Sequence, residues 1–279
     1  MQSMKEKTNV VKQKSPVILT DAEIEELRAA KLLLESPGLA AKISSFVGTP
    51  IEKGFALLPA KWNTVVNDAT RKAIETALKV ALWTMDDRAP ATRTRAPSNW
   101  WHKLAAGASG AAGGAFGLAA LTVELPVSTT IMLRSIADIA RSEGENLKLP
   151  DARLECIQVL ALGGNSTRDD GAEIGYFAAR AAMAKAVSEA AAHFATMGVT
   201  QHGSPALVRL IAQVASRFSI VVSEKAAAQA VPVVGAIGGA VINTLFIDHF
   251  QDMARGHFIV RRLERLHGSD EVKRLYDDL

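Results

Sequence analysis

LAAGASGAAGGAFGLAALTV at residues 104–123 and AAAQAVPVVGAIGGAVINTLFI at residues 226–247 are two runs without a charged side chain. Both are built on closely spaced glycines: Gly107, Gly110, Gly113, Gly114 and Gly117 in the first, Gly235, Gly238 and Gly239 in the second. About twenty uncharged residues can span a bilayer, and glycine at helical spacing lets two backbones approach closely. A similar polar tag follows each run, Asp138-Ile139-Ala140-Arg141 and Asp252-Met253-Ala254-Arg255. The first run is mostly alanine and glycine, which contribute little transfer energy, and Pro126 and Pro232 stand at an end of each. Three readings stay open for these helices: a buried core, a membrane-inserting hairpin or interfacial anchor, and the wall of an apolar ligand cavity.

Outside these runs the composition also argues for helix. Valine and isoleucine do not alternate with polar residues over any long run, and aromatic residues make up 5% of the chain. The expected fold is all-α, a compact multi-helix bundle around two glycine-rich helices. A net charge of +3 spread over both signs gives no reason to expect nucleic acid as a partner. The single Cys156 allows no internal disulfide and fits a reducing compartment. Within Leu154-Glu155-Cys156-Ile157 it reads as a small buried hydrophobe. Residues 1–19 form a polar, lysine-bearing tail with no apolar signal region, so a disordered tail is expected.

Punctuation places the helices. Thr20-Asp21-Ala22-Glu23 is a capping box, predicting a helix to about Glu35. Pro37, Pro50 and Pro59 cut the next segments short. Residues 60–83 carry Trp62, Val66, Ala69, Ala73, Ala77 and Val80 near helical spacing. DDRAPATRTRAPS, residues 86–98, reads as a linker between an N-terminal helical region (20–85) and a core (99–279). Pro126 should restart or kink its helix, and Asp151 should cap a helix that stops at Gly163-Gly164. A long helix over about 170–195 follows. Ser204-Pro205 then starts one that reaches about Gln229. The last long helix runs over about 233–267, and Gly268-Ser269 resets the chain for a short terminal one.

Among polar residues, Glu124 stands out because it lies between two apolar runs. A buried carboxylate needs a cation, and Arg134 or Arg255 are the first candidates, with Lys225 a third. Glu124, Arg134 and Asp138 with Lys225, Asp252 and Arg255 are the expected polar anchor of a ligand site. Its alternative is a structural ion pair that fixes helix register. The two DxAR tags could meet as a polar cap where the glycine-rich helices pack. His249 and Asp252 stand three apart, but no HExxH, CxxC or paired ExxH accompanies them, so no metal and no cofactor are expected. Gly163-Gly164-Asn165-Ser166-Thr167 lacks the lysine and spacing of a P-loop and reads as a helix stop. No GxSxG elbow is present. Arg261-Arg262-Leu263-Glu264-Arg265 is a basic helix end that could meet anionic headgroups.

Several ordered motifs resemble one family. They are Glu124-Leu-Pro126-Val127, Met132-Leu-Arg134-Ser-Ile-Ala-Asp138, Leu162-Gly-Gly164 and Gly175-Tyr176, then Glu224-Lys225 through Gln229 and Pro232, then Gly235 to Ala240, Asn243 and Phe250-Gln251. Together they resemble the bacterial EcsC family over roughly residues 62–265, leaving the first sixty outside. The family takes its name from a protein encoded beside the parts of an ABC transporter, so the resemblance implies such a transporter as a partner. It implies no catalytic residue. The functional expectation is a non-catalytic protein, cytoplasmic and peripherally associated with the inner membrane, that binds a lipid or other apolar small molecule. Two alternatives come from other classes: a hydrolase of peptide or ester bonds using Glu124, Asp248 and His249, and a helical scaffold that regulates an ABC transporter.

Overall fold

The computed structural model describes residues 19–48, 50–84, 118–164, 175–197, 204–231 and 235–279. The tail, the 86–98 linker, Pro232 and the glycines of the first uncharged run lie outside the described residues. Within them the chain forms ten helices and no strand. They are α1 (Asp21–Leu34), α2 (Leu39–Val47), α3 (Ile51–Leu57), α4 (Trp62–Thr84), α5 (Leu118–Ser142), α6 (Pro150–Leu162), α7 (Tyr176–Met197), α8 (Pro205–Ala230), α9 (Gly235–His267) and α10 (Ser269–Asp278).

Local chemistry sets many of the boundaries. Thr20 Oγ1 accepts from the Glu23 amide at 3.3 Å, and the Glu23 carboxylate accepts from the Thr20 amide at 2.9 Å. This is the reciprocal capping box, and it satisfies two orphan donors. Ser204 Oγ accepts from the Leu207 amide at 3.3 Å, with Pro205 at the first helical position. Two expectations are corrected. Pro126 does not restart the helix: α5 runs through it without interruption. A proline removes one rung of a helical ladder. The packing of α5 against α4, α9 and α6 supplies what that rung would have contributed. Asp151 is not the cap of α6. Leu149 takes that place, Pro150 opens the helix, and Asp151 stands in the first turn, where its charge suits the helix dipole.

The long helix α9 is the axis of the molecule. It packs against α1, α5, α6, α8 and α10, while α4 lies along α5 and α8. Phe218 of α8 meets Phe246 and Phe250 of α9, with ring centroids 5.2–5.9 Å apart in tilted and edge-on arrangements. Two glycines set close approaches. A Cβ on Gly54 would stand 2.1 Å from the Ala227 carbonyl oxygen, so α3 lies directly on the α8 backbone. A Cβ on Gly256 would stand 2.6 Å from Leu34 Cγ, which lets α1 seat on α9. Cys156 is fully buried in the core, as its apolar neighbours suggest, and burial pushes its thiol well above the usual range.

Candidate functional site

Three largely apolar helix faces carry Lys225, Glu124 and Asn243 at core positions. On α8 the buried positions Phe218, Val221, Val222, Lys225 and Ala228 follow helical spacing, with a lysine among them. On α5 the buried face holds Leu121, Glu124, Leu125 and Ser128. On α9 it holds Ile242, Asn243 and Phe246. Packing these faces together forces the three polar groups to meet. Lys225 Nζ donates to Glu124 Oε1 at 2.8 Å, to Glu124 Oε2 at 3.0 Å and to Asn243 Oδ1 at 2.7 Å. It also lies 4.6 Å from the Phe246 ring centre. The lysine side chain is 0% exposed and the glutamate 6%. Burial lowers the Lys225 pKa, and the charge and hydrogen bonds of Glu124 oppose that shift. The two Glu124 oxygens share one side of the ammonium and Asn243 takes another, so the charge is held on two sides.

An open apolar cavity of about 320 Å³ lies one helical turn outward from this pair. Leu57, Leu58 and Pro59 wall one side, Leu121 of α5 another, and Ala226, Gln229 and Ala230 of α8 the third. Leu121 precedes Glu124 by one turn, and Gln229 follows Lys225 by one turn. The two uncharged runs thus each contribute wall to the same space. Among the described residues Gln229 is the one polar side chain in this lining. Its Nε2 is buried and has no hydrogen-bond partner. At the rim Leu57 is 54% exposed, and Val123, two residues beyond Leu121, is 72% exposed.

The six residues expected to form one anchor fall into separate places. Glu124 and Lys225 meet. Arg134 is exposed and lies about 15 Å further along α5, too far to reach Glu124. Asp138 pairs with Arg141 at 2.7 Å inside its own tag. Asp252 pairs with Arg255 at 3.0 Å and with Lys42 of α2 at 3.3 Å. Arg255 is about 18 Å along α9 from Asn243, so the third-ranked cation, Lys225, is the partner of Glu124.

Two of the three residues offered for hydrolysis are engaged by other groups. His249 is buried, with Nε2 at 2.9 Å from the Gly163 carbonyl oxygen. A carbonyl only accepts, so Nε2 carries the proton and Nδ1 is bare. Burial holds this imidazole down to about 4. Glu124 is engaged with Lys225. Among the described residues no group of three or more histidine, cysteine or carboxylate side chains is placed to hold a metal.

Two other features were not legible in the sequence. One is a buried relay in which the Tyr176 hydroxyl lies 2.9 Å from His257 Nδ1, and His257 Nε2 lies 3.1 Å from Glu155 Oε2. Arg261 Nη1 closes it at 2.9 Å from the other Glu155 oxygen. Burial keeps the His257 imidazole below its ordinary value; Glu155 stays ionised against its own burial because His257 and Arg261 both donate to it. Arg261 also reaches Glu145 at 2.8 Å, and Arg180 holds Glu264 with two bonds of 2.8 Å, so much of the basic helix end is spent inside the protein. The other is a groove of about 400 Å³ between α4, α7 and α8, walled by Leu78, Phe194, Leu207 and Ile211 with Lys79 at its edge. Among the described residues, none of its lining holds a buried unpartnered polar atom.

No curated protein and no solved structure matches this chain. The EcsC protein family matches residues 21–263. The match begins well before the motifs that first suggested it and takes in α1 to α3, which pack on α8 and α9 as part of the same body. With that span of the 279 residues covered, the chain belongs to the EcsC protein family.

Proposed function

We propose that this EcsC-family protein binds a lipid or another apolar ligand at a membrane surface and does no chemistry on it. One observation carries the reading: the two uncharged runs share the wall of a single open apolar cavity, next to a buried ion pair. A mostly apolar pocket suits an amphiphile that needs orientation and little else. The volume stands near the lower end of small-molecule pockets, about 300–1000 Å³, so the cavity takes part of an amphiphile and leaves the rest outside.

Membrane association rests on the outer surface. Among the described residues α8 alone is long and apolar enough to cross a bilayer, and 33% of that window is buried in protein. Leu57 and Val123 add exposed apolar surface near the cavity. We place the protein on the cytoplasmic face of the inner membrane as a peripheral partner of lipid. Co-sedimentation of the purified protein with liposomes, and carbonate washing of cell membranes, tests this. Binding that carbonate releases is the expected result. A protein wholly soluble in cells and indifferent to liposomes refutes it.

A further inference from the structure

We propose that the open groove between α4, α7 and α8 is a second binding site, separate from the cavity beside Glu124, and that it takes a single-chain anionic amphiphile of the fatty-acid class with its head at Lys79.

The groove holds about 400 Å³, near the lower end of small-molecule pockets, about 300–1000 Å³, which suits one acyl chain better than two. Its bed is apolar. Leu207, Val208, Ile211 and Ala215 follow helical spacing on α8 and run about 12 Å along its axis, with Leu78 of α4 and Phe194 of α7 beside them. Among the described residues α8 alone is apolar enough to cross a bilayer, yet 33% of that window is buried, and Val208 in the groove is 49% exposed. An apolar chain laid along this bed removes both surfaces from water.

Charge places the head. Arg71, Glu75 and Lys79 stand one turn apart in a row on α4, and all three line the groove. Arg71 Nε donates to Glu75 Oε1 at 3.2 Å, so these two charges offset each other. Lys79 is exposed and, among the described residues, has no ion-pair partner. The row therefore carries one cation in excess beside an apolar bed. The lysine stem can lie along that bed while its ammonium stays in water. A carboxylate head meets the ammonium there without leaving water, so it keeps much of its hydration. A neutral head gains nothing from the charge, and a cationic head is repelled. Because the groove is open, its occupant exchanges with the medium and is washed out on purification, so it must be supplied by titration.

Dodecanoate, dodecanol and dodecylammonium share one chain and differ in head charge. Each is titrated into the full chain below the concentration at which it aggregates, and binding is read by calorimetry. Wild type should bind dodecanoate about threefold to fivefold more tightly than dodecanol, the ratio one exposed ion pair supplies, and dodecylammonium most weakly. The preference should shrink in high salt. Lys79→Gln should bring dodecanoate to the level of dodecanol and leave dodecanol unchanged. Ala212→Trp, which fills the groove from an exposed position, should weaken all three, and Ala230→Trp in the other cavity should leave them as in wild type. Thermal melts check that each variant is folded. Equal affinity for the three probes, preference for dodecylammonium, or no binding by wild type overturns this inference, and none of these comparisons needs a variant. They leave the lipid reading of the other cavity standing, since that reading is judged on what survives purification. Binding that Ala212→Trp keeps and Ala230→Trp loses overturns the inference too, and assigns the ligand to the cavity beside Glu124. Selectivity that survives in Lys79→Gln overturns the placement of the head.

Discussion

Replacing Glu124 by glutamine keeps the shape of the buried cluster and removes its negative charge. Lys225 would retain Asn243 and an amide oxygen, but its ammonium would be an uncompensated charge in a site that is 0% exposed. Breaking a buried pair from one side costs about 3–5 kcal/mol. The lysine has one escape, which is to lose its proton. Burial already works in that direction, and Glu124 is the group that opposes it. Deprotonation costs about 1.4 kcal/mol for each pH unit below the free lysine value of about 10.4. The ceiling is therefore about 4–5 kcal/mol at pH 7 and about 2 kcal/mol at pH 9. The sign follows from proton counting. The unfolded variant binds the lysine proton and the folded one does not, so its stability rises with pH. At about 2–4 °C per kcal/mol for a chain of this size, Tm should fall by roughly 10 °C at pH 7 and by about half as much at pH 9. Urea denaturation and thermal melts of variant and wild type, run side by side at both pH values, read the difference. A penalty that is the same at pH 7 and pH 9, or one within about 0.5 kcal/mol of zero, would refute an enclosed ion pair.

Further outcomes follow from other residues. His249 has its pKa lowered by burial from 6.5 to about 4, so the folded state holds it neutral where the unfolded chain is protonated. Stability should be complete above about pH 6.5 and fall by about 3 kcal/mol as pH drops toward 4; chemical denaturation across that range checks it, and His249→Gln should flatten the slope. Gly54→Ala would place a Cβ 2.1 Å from the Ala227 carbonyl oxygen, which is backbone and cannot turn aside. It should destabilise by about 1–3 kcal/mol and weaken lipid binding as well, because α3 carries Leu57 at the cavity wall; melts and native mass spectrometry read the two effects.

Local rules carried most of the helix map. The capping box at Thr20 and the Ser204-Pro205 start are short-range chemistry, decided by residues within one turn. Pro126 does not restart its helix because a helix packed against three neighbours tolerates a missing rung, and tertiary packing is not written in the local pattern. The burial expected of Glu124 followed from its apolar flanks, yet its partner required knowing which helix faces meet. Arg134 and Arg255 stood first as candidates; Lys225 has the place because it sits on the buried stripe of α8. The same test applied to each apolar stripe could have found Asn243, a polar residue between Ile242 and Phe246. The Tyr176–His257–Glu155 relay depends on pairings between residues far apart in sequence, for which no local spacing gives a sign.

The account stands most directly on whether lipid occupies the cavity beside Gln229. Ala230→Trp would fill that space from the end of α8, where the present side chain lines the wall. Native mass spectrometry of wild type and Ala230→Trp, each purified from membranes and subjected to lipid extraction, is the measurement. The account predicts a lipid adduct on wild type that is lost from the variant while its melting temperature holds. Wild type without any adduct, or an adduct equally retained by the folded variant, would contradict it.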